Sequence, residues 1–194
     1  MKNITELFFV LNKNERIIIQ LPVSIDIISA CDDVIIKFIH NDNNIMLAND
    51  CFLHVLRQFK NMLQSALDNK LSLHSSITKD IGYLWNNVLK GNKSSLTFIK
   101  NENQDVWIGE QYLLWSTSSK ANPNVSTWLY NDVDGSIIFH ITPNLKDIFT
   151  ISQKEFDTLM QSYASLLITT IPQDIASTWL KQTEKILKTI EKTL

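Results

Sequence analysis

Residues 125–143 read VSTWLYNDVDGSIIFHITP. β-branched and aromatic residues fill Val125 to Tyr130 and Ser136 to Thr142, and Asn131-Asp132-Val133-Asp134-Gly135 between them supplies turn chemistry. An Asp-Gly pair flanked by such runs is a strong local hairpin signal, because glycine enters the left-handed backbone region that tight turns require. Pro143 closes the second strand, since it has no N–H to give a ladder. Just upstream, Asp105 to Thr117 is long, aromatic and β-rich and predicts another strand, joined to the hairpin by a polar loop from Ser118 to Pro123. Alternation along that strand places Trp107, Leu113 and Trp115 on one face, and Trp128 shares a face with Tyr130.

Outward from this sheet the period of the apolar residues changes. Toward the N-terminus, Ile4 to Leu11 and Glu15 to Leu21 flank Asn12-Lys13-Asn14 as a hairpin, and Asp33 to His40 and Ile45 to Leu47 extend it to an antiparallel meander of about four strands. From Asn49, a plausible N-cap, the residues Phe52, Leu56, Phe59, Leu63 and Leu67 recur at helical spacing. A second helix runs from about Thr78 to Lys90, with Ile81, Leu84, Trp85 and Val88 on one face and Gly91 as its stop. Beyond the hairpin, Ser152 and Glu155 form a capping box, and Phe156, Leu159, Met160, Tyr163, Leu166 and Leu167 read as one buried stripe. Pro172 opens a final helix whose apolar face is Ile175, Trp179, Ile186, Ile190 and Leu194. Strands (about 4–47), helices (about 49–91), strands (about 104–143) and helices (about 152–194) are segregated rather than alternating. The class is therefore α+β, with antiparallel sheets packed against about four helices in a single domain covering 1–194.

Composition narrows the function. With 194 residues and 44% hydrophobic content the chain can build a proper core. A net charge of −2 gives no overall basic footprint, so direct nucleic-acid binding is not expected. The run Leu7-Phe8-Phe9-Val10-Leu11 is too short for a signal segment, and no stretch is long and apolar enough to span a membrane, which predicts a cytoplasmic chain. Cys31 and Cys51 read as buried structural thiols rather than a disulfide.

Catalytic signatures are lacking. The 4 glycines, Gly82, Gly91, Gly109 and Gly135, are far apart and form no phosphate-cradling loop. His54 follows Asp50 by one helical turn, which reads first as a local hydrogen bond. His40, His74 and His140 have no metal-ligand spacing with each other or with the cysteines. Asp132 to Gly135 is not a calcium loop, because glycine follows the second acid directly and the twelfth position is Pro143. No cofactor is expected.

The surplus is aromatic. Of the 5 tryptophans, Trp107, Trp115 and Trp128 fall in the middle sheet beside Tyr112 and Tyr130. The same region, from Gly91 to Thr150, holds Glu102, Asp105, Glu110, Asp132, Asp134 and Asp147 against only Lys93, Lys100, Lys120 and Lys146, so the whole net charge of −2 resides there. One reading is an aromatic wall of the core with solvated loops. The other is an aromatic and acidic face that anchors a basic protein partner, with Glu102, Asp105, Trp107, Glu110, Tyr112, Trp128, Tyr130, Asp132 and Asp134 as candidates. A third arrangement would line a pocket with His140, Asp132, Tyr130 and Trp128. On the last helix, Lys181, Lys185, Lys188 and Lys192 form a stripe, most simply a solvated face.

Three segments, Tyr112-Leu113-Leu114-Trp115, Ser126 to Asp132 and Gly135 to Pro143, resemble small bacterial immunity proteins of contact-dependent growth inhibition and related polymorphic toxin systems. That resemblance implies a cytoplasmic α+β protein without catalytic residues. It would bind the C-terminal domain of a cognate toxin one to one, commonly a nuclease, and neutralise it by covering the active site.

Overall fold

The computed structural model describes residues 5–41, 43–94, 96–100, 105–117 and 124–190. Four strands, β1 (Thr5–Val10), β2 (Glu15–Leu21), β3 (Asp33–His40) and β4 (Asn43–Cys51), pair antiparallel in sequence order. The meander is as expected, but β4 runs further, to Cys51. Ile35↔Asn49, Val34↔Asp50 and Asp33↔Cys51 hold this extension in the ladder, so Asn49 is not a helix cap. Helix α1 (Phe52–Leu67) starts without a side-chain cap. Its first N–H groups find tertiary partners instead, Phe52 N on Asp32 O at 2.9 Å and Leu53 N on Ala30 O at 3.1 Å. Phe52, Leu56, Phe59 and Leu63 are buried along it, as the spacing requires.

Helix α2 (Ile81–Lys90) begins slightly later than expected, because Asp80 caps it through Gly82 N and Tyr83 N; Gly91 ends it at φ 86°. The next segment departs from expectation. Residues 105–117 are not one strand but β6 (Asp105–Trp107), which pairs with β5 (Phe98–Lys100), a 3-10 turn (Ile108–Tyr112), and β7 (Leu113–Ser116). Gly109 lies against the Trp107 indole, where an added Cβ would stand 2.2 Å from ring carbon. The Glu110 carboxylate accepts from Trp107 N at 3.3 Å and fixes the turn. Trp107 and Trp115 therefore belong to different ribbons. The expected Ser118–Pro123 loop lies outside the described residues, as does Leu194.

The Asp-Gly hairpin is present as β8 (Val125–Asn131) and β9 (Ile137–Pro143), with Gly135 at φ 84°. Helix α3 (Gln153–Gln161) carries the Ser152–Glu155 capping box, but its stripe stops early. Leu167–Ile171 is a strand, β10, antiparallel to β9, and Leu159 and Leu166 stay exposed at 44% and 43%. Four β-branched residues, Ile168 to Ile171, favour extension there, and Leu166 N bonds Ile141 O at 2.9 Å. Helix α4 (Gln173–Ile190) follows Pro172 and buries Trp179, Ile186 and Ile190.

The fold is thus α+β, with a β1-β2-β3-β4 sheet, a β10-β9-β8-β7 sheet and a β5-β6 ribbon. Phe38 and Phe139, with ring centroids 5.3 Å apart, join β3 to β9. Phe59 on α1 meets Phe9 at 5.2 Å, Trp115 at 5.0 Å and Trp179 at 6.0 Å, which ties β1, β7 and α4 to one centre. Each such fully buried ring contributes roughly 2–3 kcal/mol of transfer free energy. At the edge of the first sheet, Trp179 Nε1 donates to Val10 O at 3.1 Å and Gln182 Nε2 to Phe8 O at 2.9 Å, so α4 caps carbonyls that β1 cannot pair. Neither cysteine is bridged, and neither is the buried thiol expected: Cys31 is exposed, and Cys51 is half-buried with its thiol donating to Ala30 O. No described helix is long and apolar enough to cross a membrane.

Candidate functional site

The residues proposed as an aromatic and acidic face separate into two groups. Trp107, Tyr112 and Trp128 are at most 1% exposed and Tyr130 is 9% exposed, so the aromatic members are interior and cannot anchor a partner. Trp107 stacks on Trp85 at 5.9 Å, and Trp128 donates from Nε1 to Thr142 Oγ1 at 2.7 Å. The Tyr112 hydroxyl donates to Ser72 O at 2.7 Å and accepts from His74 N at 2.9 Å. Burial drives these rings inward because each removes a large apolar surface from water. Of the acids, Glu110 is engaged in the 3-10 turn, Asp105 is exposed at the start of β6, and Glu102 lies outside the described residues.

Asp132 and Asp134 do stand in solvent, on either side of a Val133 that is fully exposed. Their turn is locally braced: Asp132 N bonds Ser136 O and Gly135 N bonds Asp132 O, both at 2.9 Å, and Asp134 Oδ1 accepts from Ser136 N at 2.8 Å. The N–H and hydroxyl of Ser136 hold the Asp134 carboxyl below the usual carboxylate range, so it is ionised at neutral pH. Below the tip, Asn131 is 1% exposed and fastens the hairpin to the end of α1. Its Oδ1 accepts from Leu71 N at 3.1 Å, its Nδ2 donates to Ala66 O at 2.9 Å, and its backbone N–H bonds Leu71 O at 2.9 Å. A short polar side chain satisfying a facing backbone in this way costs little and removes hinge freedom.

The pocket expected from His140, Asp132, Tyr130 and Trp128 does not assemble. His140 and Tyr130 meet, at 3.3 Å, but Asp132 is out on the turn and Trp128 bonds elsewhere. His140, 2% exposed, instead reaches Ser165 Oγ with Nε2 at 2.6 Å, and Ser165 Oγ donates to Asp80 Oδ2 at 2.6 Å. Asp80 Oδ2 is also 3.4 Å from His140 Nε2, while Oδ1 caps α2. Serine, histidine and aspartate in one cluster invite comparison with a nucleophile triad, but the proton order is wrong for one. The serine proton points at Asp80, which leaves His140 Nε2 to donate to the serine oxygen rather than to take its proton. Partial burial alone would raise the Asp80 carboxyl; the hydrogen bonds from His140, Ser165 and Tyr83 N overcome it and hold the group well below the usual range. Burial, then the Asp80 and Asp132 charges, push the Tyr130 phenol up to about 12. Burial and the Asp80 charge also raise the Tyr163 phenol. The cluster acts as a strut linking α2, β8, β9 and the approach to β10. Asp80 and Ser165 escape a sequence reading because they are 85 residues apart and share no motif.

The other three histidines each have a side-chain partner at 2.8 Å: His54 Nδ1 with Asp50 Oδ2, His74 Nδ1 with Ser76 Oγ, and His40 Nδ1 with Glu15 Oε1 across the β2–β3 ladder. Among the described residues no group of three His, Cys, Asp or Glu side chains is placed to hold a metal ion. Comparison with family models, curated proteins and solved structures finds no match for this chain.

Proposed function

We propose that this chain is an immunity protein of the contact-dependent growth inhibition kind, which binds the C-terminal toxin domain of a neighbouring gene product in the cytoplasm and covers its active site. The observation that carries the reading is the β8–β9 tip: an exposed apolar Val133 between two exposed carboxylates, on a stem locked by the buried Asn131. A braced loop loses little conformational freedom on binding, so more of its contact energy appears as affinity. Its two negative charges complement the basic cleft with which a nuclease holds phosphates, and they raise the rate of encounter. The buried aromatic residues serve this role from behind, by stiffening the sheet that presents the tip. The resemblance of the hairpin sequence to immunity proteins supplies the toxin class.

Co-purification with the product of the adjacent upstream gene tests the proposal. We expect a one-to-one complex, weakened by added salt, and weakened at least tenfold, about 1.4 kcal/mol, by Asp132→Asn with Asp134→Asn. Absence of a complex at micromolar concentrations would overturn it.

A further inference from the structure

Two adjoining surface grooves, of about 370 and 290 Å³, run along α4 and between α4 and α1. Lys181, Lys185 and Lys188 line them from α4 and Lys60 from α1; Glu184 is the acid among the lining residues, 4.0 Å from Lys60. Glu184 intersperses one negative charge among the α4 lysines, but with Arg57 also on the α1 side the lining still carries more cations than this one acid balances. The net charge of −2 hides this segregation, because the acids lie elsewhere, on the hairpin tip among other places.

We infer that the α1–α4 face is a second binding surface, for the phosphodiester backbone of a nucleic acid. At 1.5 Å of rise per residue, the three α4 lysines form a row of positive charge along roughly 10 Å of helix. Apart from Leu187 the lining is polar, with Asn61 and Thr189 offering further hydrogen bonds to phosphate oxygens. An interface for a protein partner would carry a centre of several aromatic or aliphatic side chains, and these grooves offer Leu187 alone. They also lack aromatic platforms for bases, so recognition is confined to the backbone, independent of sequence and steeply dependent on salt. This inference is separate from the toxin-binding reading, and different residues test it.

Fluorescence anisotropy of the full chain with labelled oligothymidylate and with mixed-sequence duplex of about 20 nucleotides, at about 50 and 200 mM salt, decides the matter. Three or four phosphate contacts predict a log–log salt slope of about −2 to −3.6, a loss of roughly 20- to 150-fold across that range. Lys188→Gln should lower the slope magnitude by about one, which a folding defect would not mimic. Lys181→Glu with Lys185→Glu should weaken binding more than tenfold, and Asp132→Asn with Asp134→Asn should leave it unchanged. Failure to bind either probe at the lower salt, or indifference to the lysine substitutions, overturns the inference. So does equal binding of polyglutamate, which would assign the face to acidic protein segments.

Discussion

The two four-stranded sheets bury side chains of different chemistry. The β1–β4 sheet is packed with Phe9, Ile17, Ile19, Leu21, Val34, Ile36, Phe38 and Leu47, and its only buried polar residue among those described is Glu15, at the 9% margin. The β10-β9-β8-β7 sheet buries Ser126, Thr127, Asn131, His140 and Thr142, with Asn86 of α2 beside it. Asn86 Nδ2 donates to Gly82 O and Pro143 O, and its Oδ1 accepts from Leu145 N, so it stitches α2 to the end of β9. Apolar burial is non-directional and tolerates volume-conserving exchange. Buried polar groups are costly unless paired, and pairing demands a particular position. The first sheet therefore provides cohesion and the second provides placement, and the hairpin tip and the Asp80–Ser165–His140 strut both belong to the second.

Substitutions can break this contrast. Phe59→Ala, which opens a cavity shared by both sheets, should cost about 3–5 kcal/mol in chemical denaturation. Gly82→Ala should cost about 2–3 kcal/mol: the new Cβ would stand 2.3 Å from Thr142 Cβ and 2.2 Å from the Tyr163 hydroxyl, and the strand residue cannot move aside. Asn131→Ala removes the Asn131 Oδ1 that accepts from the buried Leu71 N–H and should cost about 1–3 kcal/mol, while Ile36→Val in the first sheet should cost only about 0.5–1.5 kcal/mol. If Asn131→Ala proves cheaper than Ile36→Val, the division of labour is wrong. A pH titration of stability sharpens it further. Asp80 is depressed in the folded state, so its contribution is complete above the unfolded value of 3.8 and is lost as pH falls below it toward the lower folded value. Asp80→Asn should flatten that acid limb of the curve. Smallest of all, His54→Ala should change stability by less than about 0.5 kcal/mol, since the His54–Asp50 pair is exposed.

Much of the architecture was legible because it rests on local rules. The meander reads as short apolar, β-branched runs separated by polar turn residues, Gly91 and Gly135 mark left-handed positions, and Ser152 and Glu155 announce a helix start. Three features were not legible, each for a tertiary reason. The 3-10 turn inside 105–117 depends on Gly109 lying under a ring that only the fold positions. The β10 strand was hidden because Leu166 and Leu167 extend the helical spacing of α3, and the helix ends without a glycine. Asn49 looked like a cap, yet cross-strand pairing with Ile35 claimed it first. At the site, the exposed acids followed from turn chemistry alone. The aromatic residues were ambiguous between wall and anchor because alternation marks a face without saying which side is wet. The strut joins residues from distant segments, so only the folded chain brings them together.

The capping of β1 by α4 has a consequence for biosynthesis. Val10 and Trp179 are separated by 169 positions and Phe8 and Gln182 by 174, so the ribosome makes one partner long before the other. Throughout that interval a nascent β1–β4 sheet carries an open edge, with Phe8 and Val10 on its outermost strand. An open apolar edge recruits strands from neighbouring chains. A polypeptide released before α4 is complete would keep that edge, and truncated products of this gene should accumulate as aggregates rather than as trimmed, folded monomers.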